Sequence, residues 1–375
     1  MFTAALREIF HTNLGVKKGE RVLIFTDRPT KRDHVSEEDL IRWQRLKDLL
    51  YLLEDTARGF TSNVLTCIYP SRGGHGKEPP ERVWRLAFGE KAVDELKNRG
   101  VLKRILNKKA TEEDIRVAEK TIKRFSRKPV QVVVAVSNYS TSHTRFRDFL
   151  TRIFGARYAS MPLFDISMLE GAMDVDWKEL KRRTRRVATL LRKTVEVELT
   201  TPNGTVLRFS KKGRRVQEDN GDLRRPGSFG NLPAGEVFFA PLEDSSEGTL
   251  VLEWAPTRHL DSPVTVTIKD GKAEEVTGKE PFVEVLKEKF SEREENRFIA
   301  EFGIGTNDRA RRPDNILESE KILGTVHVAF GDNSSFGGKV KTPFHQDFVF
   351  FHPTVKLKLK DGSEVFLLRD GRMLD

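Results

Sequence analysis

The amino-acid sequence predicts two domains: an N-terminal α/β domain with an open, mostly parallel sheet and helices, then a β-rich α+β domain. Three observations carry this. The chain has 375 residues, more than one hydrophobic core usually organises. Its first half alternates short apolar runs with helical periodicity, the pattern of βαβ units. Its second half replaces that alternation with closely spaced strand-like runs joined by Asn-Gly and Asp-Gly turns. The expected domains are residues 1–190 and 191–375, the second being the metal-binding one.

In the first half, Lys18-Gly-Glu-Arg-Val-Leu-Ile-Phe-Thr-Asp27 reads as a turn feeding a buried strand. Helical spacing follows from Glu37 to Asp55, with Leu40, Leu46, Leu49, Leu50 and Leu53 on one broad face. Asn63–Tyr69 is a second strand, and Ser71–Pro80, rich in Gly and Pro, is a loop. Helical pattern resumes from Glu81 to Phe125 with one break near Lys108–Glu113, where Thr111 is placed to cap a new helix. Gln131-Val-Val-Val-Ala-Val-Ser137 is short, apolar and β-branched, hence a buried strand.

From Thr194 the texture changes. Val195–Thr200 alternates, Pro202-Asn-Gly204 turns, and Thr205–Phe209 returns as a hairpin partner. Further strands are expected at Glu236–Ala240, Thr249–Trp254, Val264–Lys269, Thr325–Phe330, Phe344–Phe351 and Thr354–Lys360, with a helix at Pro281–Arg297.

Composition narrows the function classes. No apolar run approaches the ~20 residues of a membrane span. The start, Met1-Phe-Thr-Ala-Ala-Leu-Arg-Glu, lacks the basic and apolar regions of a signal peptide. Cys67 is the single cysteine, so the cytoplasm is the expected compartment. The net charge is +10, but 56 acidic residues are interspersed among the basic ones. The densest basic run, Lys178–Arg186, carries a helical stripe of Leu180, Val187, Leu190 and Leu191. A solvated helix face accounts for it, and no nucleic-acid partner is expected in the absence of a recognition motif; a basic, non-enzymatic RNA-associated protein is the last of the alternative readings. Charged residues at 33% also resemble a thermophilic composition.

The chemistry-bearing residues lie in the second half. In Phe344-His-Gln-Asp-Phe-Val-Phe-Phe351, His345 and Asp347 project from one face of a strand. Glu236 enters an apolar Val-Phe-Phe strand, Glu301 stands in Phe298-Ile-Ala-Glu-Phe-Gly-Ile-Gly305, and His327 is the lone ionisable group of Gly324-Thr-Val-His-Val-Ala-Phe-Gly331. Each could be an ordinary capped or paired residue. Isolated charges are rarely buried without a partner, however, because desolvation costs several kcal/mol. Together they form a nitrogen and oxygen donor set suited to divalent ions.

The segments Asn231–Glu236, Ile299–Asn307, Gly324–His327 and His345-x-Asp347 resemble, in order and spacing, the aminopeptidase T/aminopeptidase S family. Ser140–Arg145, Gly155–Pro162, Asn203–Thr205 and, more faintly, Val16–Ile24 extend the likeness. The resemblance implies a metallo-aminopeptidase that removes N-terminal residues from short peptides with two divalent ions (zinc, cobalt or manganese), assembled as a homodimer. It makes Glu236, Glu301, His327, His345 and Asp347 the metal ligands, with Glu301 bridging the ions. Two departures stand out. Ser334 occupies the position of a family Tyr, and the family's catalytic Glu has only the offset Glu320 as a counterpart. The lost Tyr points towards relatives on the same scaffold, the 2,5-dihydroxypyridine dioxygenases. These hold one Fe(II) with two His and one carboxylate, a set that His327, His345 and Asp347 could supply.

Overall fold

The computed structural model describes residues 3–374. The chain forms two compact units. One runs to Asp174 and takes in Gly221–Pro233; the other comprises Val175–Asn220 and the chain from Ala234 onwards. The basic helix Trp177–Lys193 therefore belongs to the second unit.

The first unit is built on a five-stranded parallel sheet in the order Val64–Pro70, Val22–Arg28, Val132–Ala135, Arg157–Ser160, Phe229–Asn231. The central strands are buried on both faces, as a helix-covered parallel sheet requires. Leu46, Leu49, Leu50 and Leu53 of helix Glu37–Arg58 are buried, as their spacing implied. The tract expected as two helices after Glu81 is four: Glu81–Phe88, Glu90–Asn98, Val101–Leu106 and Glu112–Phe125. The extra breaks fall at Gly89 and Gly100, whose φ values of 90° and 67° a side chain disfavours. Thr111 caps the last helix in a reciprocal box with Asp114. Two buried polar anchors hold this unit. Asp27 accepts from Trp43 Nε1 at 2.9 Å and from the backbone N–H groups of Asn138 and Tyr139 at 2.7 and 3.2 Å. Arg157 donates to the carbonyls of Leu14 and Gly15 at 2.7 and 2.8 Å and pairs with Glu20.

The second unit contains an eight-stranded antiparallel sheet and a five-stranded antiparallel sheet. The smaller runs His345–Phe350, Val326–Gly331, Ile299–Gly305, Glu236–Phe239, Gln217–Asp219. A common core collects Val197, Leu199 and Phe209 of the large sheet with Phe302, Val328 and Phe348 of the small one. Helix Phe282–Glu292 is shorter than its pattern implied and continues as a 3₁₀ turn, Glu294–Arg297. In helix Trp177–Lys193, Leu180, Val187 and Leu191 are buried while Arg182, Arg183 and Arg192 pair with Glu179, Asp308 and Glu218. Among the described residues no helix is long and apolar enough to cross a membrane.

Candidate metal centre

The small sheet positions every candidate donor by register. Gly305 pairs with Glu236, Gly303 with His327, and Ala329 with both Glu301 and Asp347, while Gly331 pairs with His345. Because alternate residues share a face, all five donors project from one side of the sheet. The residues between them, including Val237, Phe302, Ile304, Val328 and Phe348, fill the core on the other side. Each donor thus has a glycine or alanine opposite it on at least one neighbouring strand. A Cβ on Gly303 would stand 2.0 Å from His327 Nε2, so the bare backbone there is the floor on which the imidazole lies.

The side chains form an alternating series of acid and base. Glu320 accepts from Lys321 Nζ at 2.7 Å, and Lys321 Nζ lies 3.0 Å from Glu236 Oε1. Glu236 Oε2 is 3.4 Å from His327 Nε2, which is 3.3 Å from Glu301 Oε1. Glu301 Oε2 is 3.5 Å from His345 Nε2, which is 3.4 Å from Asp347 Oδ2. Glu301 therefore sits between the two imidazoles, in the middle of the set. His345 Nδ1 lies 2.7 Å from the carbonyl of Asp332. A carbonyl can only accept, so Nδ1 carries the proton and Nε2 is turned into the site.

Glu301, His345 and Asp347 each offer one ligand atom, all within 4.8 Å of one another, the geometry of a group able to hold a metal ion. His327 meets that group through Glu301. Its Nε2 faces two carboxylates, and its Nδ1 is buried without a hydrogen-bond partner, as is Glu236 Oε2. Burial disfavours charge on His345, but Asp347 and Glu301 outweigh it and push its pKa up to about 10. His327 is pushed up to about 9, with burial opposed by Glu301 and Glu236. Burial raises Glu301 and Glu320. It would raise Asp347 as well, yet His345 holds that carboxyl low.

Lys321 is the residue that sequence reasoning missed. It is wholly buried, and its pKa is raised by Glu236 and Glu320 against the effect of burial. In Leu317-Glu-Ser-Glu-Lys-Ile-Leu323 it looks like one charge of a solvated helix, and nothing local signals its burial. Glu320, the expected catalytic carboxylate, caps the short helix Ile316–Ser319 and is engaged by Lys321. Ser334 is exposed, its hydroxyl donating to Asp332 Oδ1 at 3.0 Å. Beyond it, Phe336 sets its edge against His345 and Phe238, with ring centroids 6.1 and 5.5 Å apart.

A family model described as NicX: 2,5-dihydroxypyridine 5,6-dioxygenase matches residues 107–375. The chain belongs to this family. One curated member, the 2,5-dihydroxypyridine 5,6-dioxygenase of Pseudomonas putida KT2440, is 27% identical over 183 residues. That alignment covers 44% of this chain and 52% of the relative, so the chain spans about half the relative's length in sequence. Among solved structures, the 2,5-dihydroxypyridine dioxygenase from the same organism superimposes with a TM-score of 0.67 at 18% identity, covering 100% of this chain and 96% of that one. Wild-type AmpT from Thermus thermophilus gives 0.56 at 16%, covering 100% and 99%.

The two-domain fold expected from the aminopeptidase resemblance is therefore correct, and the peptidase assignment is not. Membership of the dioxygenase family overturns the hydrolase reading and, with it, the expected proteolysis of short peptides. The two groups share a scaffold, which is why the ligand motifs alone pointed to the wrong chemistry.

Proposed function

We propose that this chain is an Fe(II)-dependent ring-cleaving dioxygenase acting on a dihydroxylated N-heteroaromatic, with Glu301, His345 and Asp347 holding the ion. The observation that carries the reading is this trio, gathered on one sheet face in a member of the dioxygenase family. One imidazole and two carboxylates fit a divalent first-row ion. The orphaned His327 Nδ1 and Glu236 Oε2 mark a centre whose charges are incompletely satisfied by the protein itself. Fe(II), when bound, supplies a Lewis acid that can also react with dioxygen. The remaining contributions come from the chain. Asp332 fixes the His345 ring so that Nε2 faces inward, and His327 holds Glu301. Phe336, half-buried beside His345, and Phe238, half-buried against Phe336, offer flat apolar surface to a planar ring. The relative's substrate, 2,5-dihydroxypyridine, carries a hydroxyl at either side of its ring, one of which would address such a centre.

The test is direct. The purified chain, loaded anaerobically with Fe(II), is mixed with 2,5-dihydroxypyridine in air-saturated buffer while ring absorbance and dissolved oxygen are followed together. Equimolar loss of ring and oxygen, abolished in His345→Ala, is the expected result. No oxygen uptake with this substrate or other dihydroxypyridines would overturn the proposal.

A further inference from the structure

We infer that Lys321 acts as a covalently attached cation in the place of a second metal ion, so that this donor cluster accepts one ion rather than two. The inference rests on the proposed reading only in taking Glu301, His345 and Asp347 as a metal centre. Five donors on one sheet face form a set large enough for two ions. Yet the two carboxylates at one end, Glu236 and Glu320, converge on the ammonium of Lys321 at 3.0 and 2.7 Å. Lys321 has no exposed surface, and its backbone is fixed on both sides: its N–H donates to Glu318 and its carbonyl accepts from Asn307 N–H at 2.8 Å. A buried ammonium persists only where carboxylates compensate it, so Lys321 and Glu236 are mutually required. A metal ion taking Glu236 Oε1 at the roughly 2 Å of a metal–oxygen bond could lie no farther than roughly 5 Å from Nζ, inside the range of strong like-charge repulsion. The ammonium thus closes the Glu236 end while leaving the Glu301–His345–Asp347 end open.

The experiment counts ions. Chelator-stripped wild type and Lys321→Met, which keeps the volume and loses the charge, are titrated with Mn(II), free ion being read by electron paramagnetic resonance. Wild type is expected to bind one equivalent and Lys321→Met two, with the second lost again in Lys321→Met/Glu236→Gln. Two equivalents in wild type, or one in a folded Lys321→Met, would overturn the inference. If Lys321→Met is unfolded when stripped, refolding on addition of Mn(II) supports it, since an ion then replaces the ammonium. If Mn(II) does not refold it, the double variant decides. Recovery of a fold binding one ion supports a charge-compensating role, whereas a double variant that stays unfolded even when Glu320→Gln is added overturns the inference. Ring cleavage is not the readout, so absence of dioxygenase activity would sink the proposed function without touching the ion count.

Discussion

Replacing Gly303 by alanine tests whether His327 holds the centre together. The new methyl would stand 2.0 Å from His327 Nε2 and 2.1 Å from Cε1, where carbon contacts prefer ~3.5–4.0 Å. The ring is only 1% exposed, and a methyl so close must turn it away from Glu301. Overpacking of this kind costs about 1–3 kcal/mol. Losing a hydrogen bond to a charged group adds about 1.5–3 kcal/mol. A total near 3–5 kcal/mol is a large share of the ~5–15 kcal/mol that holds a typical domain folded. Metal affinity should fall about 10–100-fold, the usual cost of losing the partner that orients a ligand. Urea unfolding and Mn(II) titration read the two effects separately. Gly248→Ala is the control: its methyl would meet the Val206 carbonyl at 2.0 Å in the other sheet, so it should destabilise without weakening the ion. Unchanged affinity in a folded Gly303→Ala, or equal weakening in Gly248→Ala, would refute the role given to His327.

Further outcomes are expected elsewhere. Asp347→Asn should lower ion affinity by more than the roughly 10–100-fold of an outer partner, measured by equilibrium dialysis. Stripping the ion should lower the melting temperature, since an ion at ~100 times its dissociation constant contributes about 2.7 kcal/mol, and re-addition should restore it in a calorimetric scan. Burial pushes Asp27 up to about 6 from 3.8, against the opposing hydrogen bonds of Asn138, Tyr139 and Trp43. Its folded form resists losing the proton, so its contribution is intact below pH 4 and is lost as pH rises through 6, by about 3 kcal/mol. The stability of Asp27→Asn relative to wild type should therefore improve over that window in urea melts, and a flat difference would contradict the shift. Arg157→Lys cannot reproduce the fork to the Leu14 and Gly15 carbonyls and Glu20, and should lose about 3 kcal/mol in the same assay.

The parts legible in the sequence are those governed by short-range periodicity. The period of two placed His345 with Asp347 on a face, and single acids in apolar strands exposed Glu236 and Glu301 as anomalies. Helix spacing located Glu37–Arg58, and Thr111 announced its cap. Strands Arg157–Ser160 and Phe229–Asn231 went unread because they are short, and Gly and Pro flank them. Strand Ile299–Gly305 was seen only as the setting of Glu301, since two glycines weaken its β character; their purpose appears only when Glu236 and His327 lie opposite. Lys321 was illegible for a different reason. Its burial depends on two carboxylates, of which Glu236 is far away in the chain, and no window of neighbouring residues contains that information. The two visible departures from peptidase chemistry were Ser334 in the place of the family Tyr and the offset of Glu320.

The path of the backbone has a practical corollary for anyone wishing to divide this protein. Strand Phe229–Asn231 reaches the first unit only after the chain has begun the second, and it covers the outward-facing backbone groups of Tyr158 and Ser160 by pairing alongside them. A polypeptide truncated at Asp174 would be synthesised with that flank raw, a ready template for sticking to its own copies. The two halves cannot be exchanged between homologues as simple cassettes. A productive chimaera must carry the returning segment along with the partner it was shaped to cover.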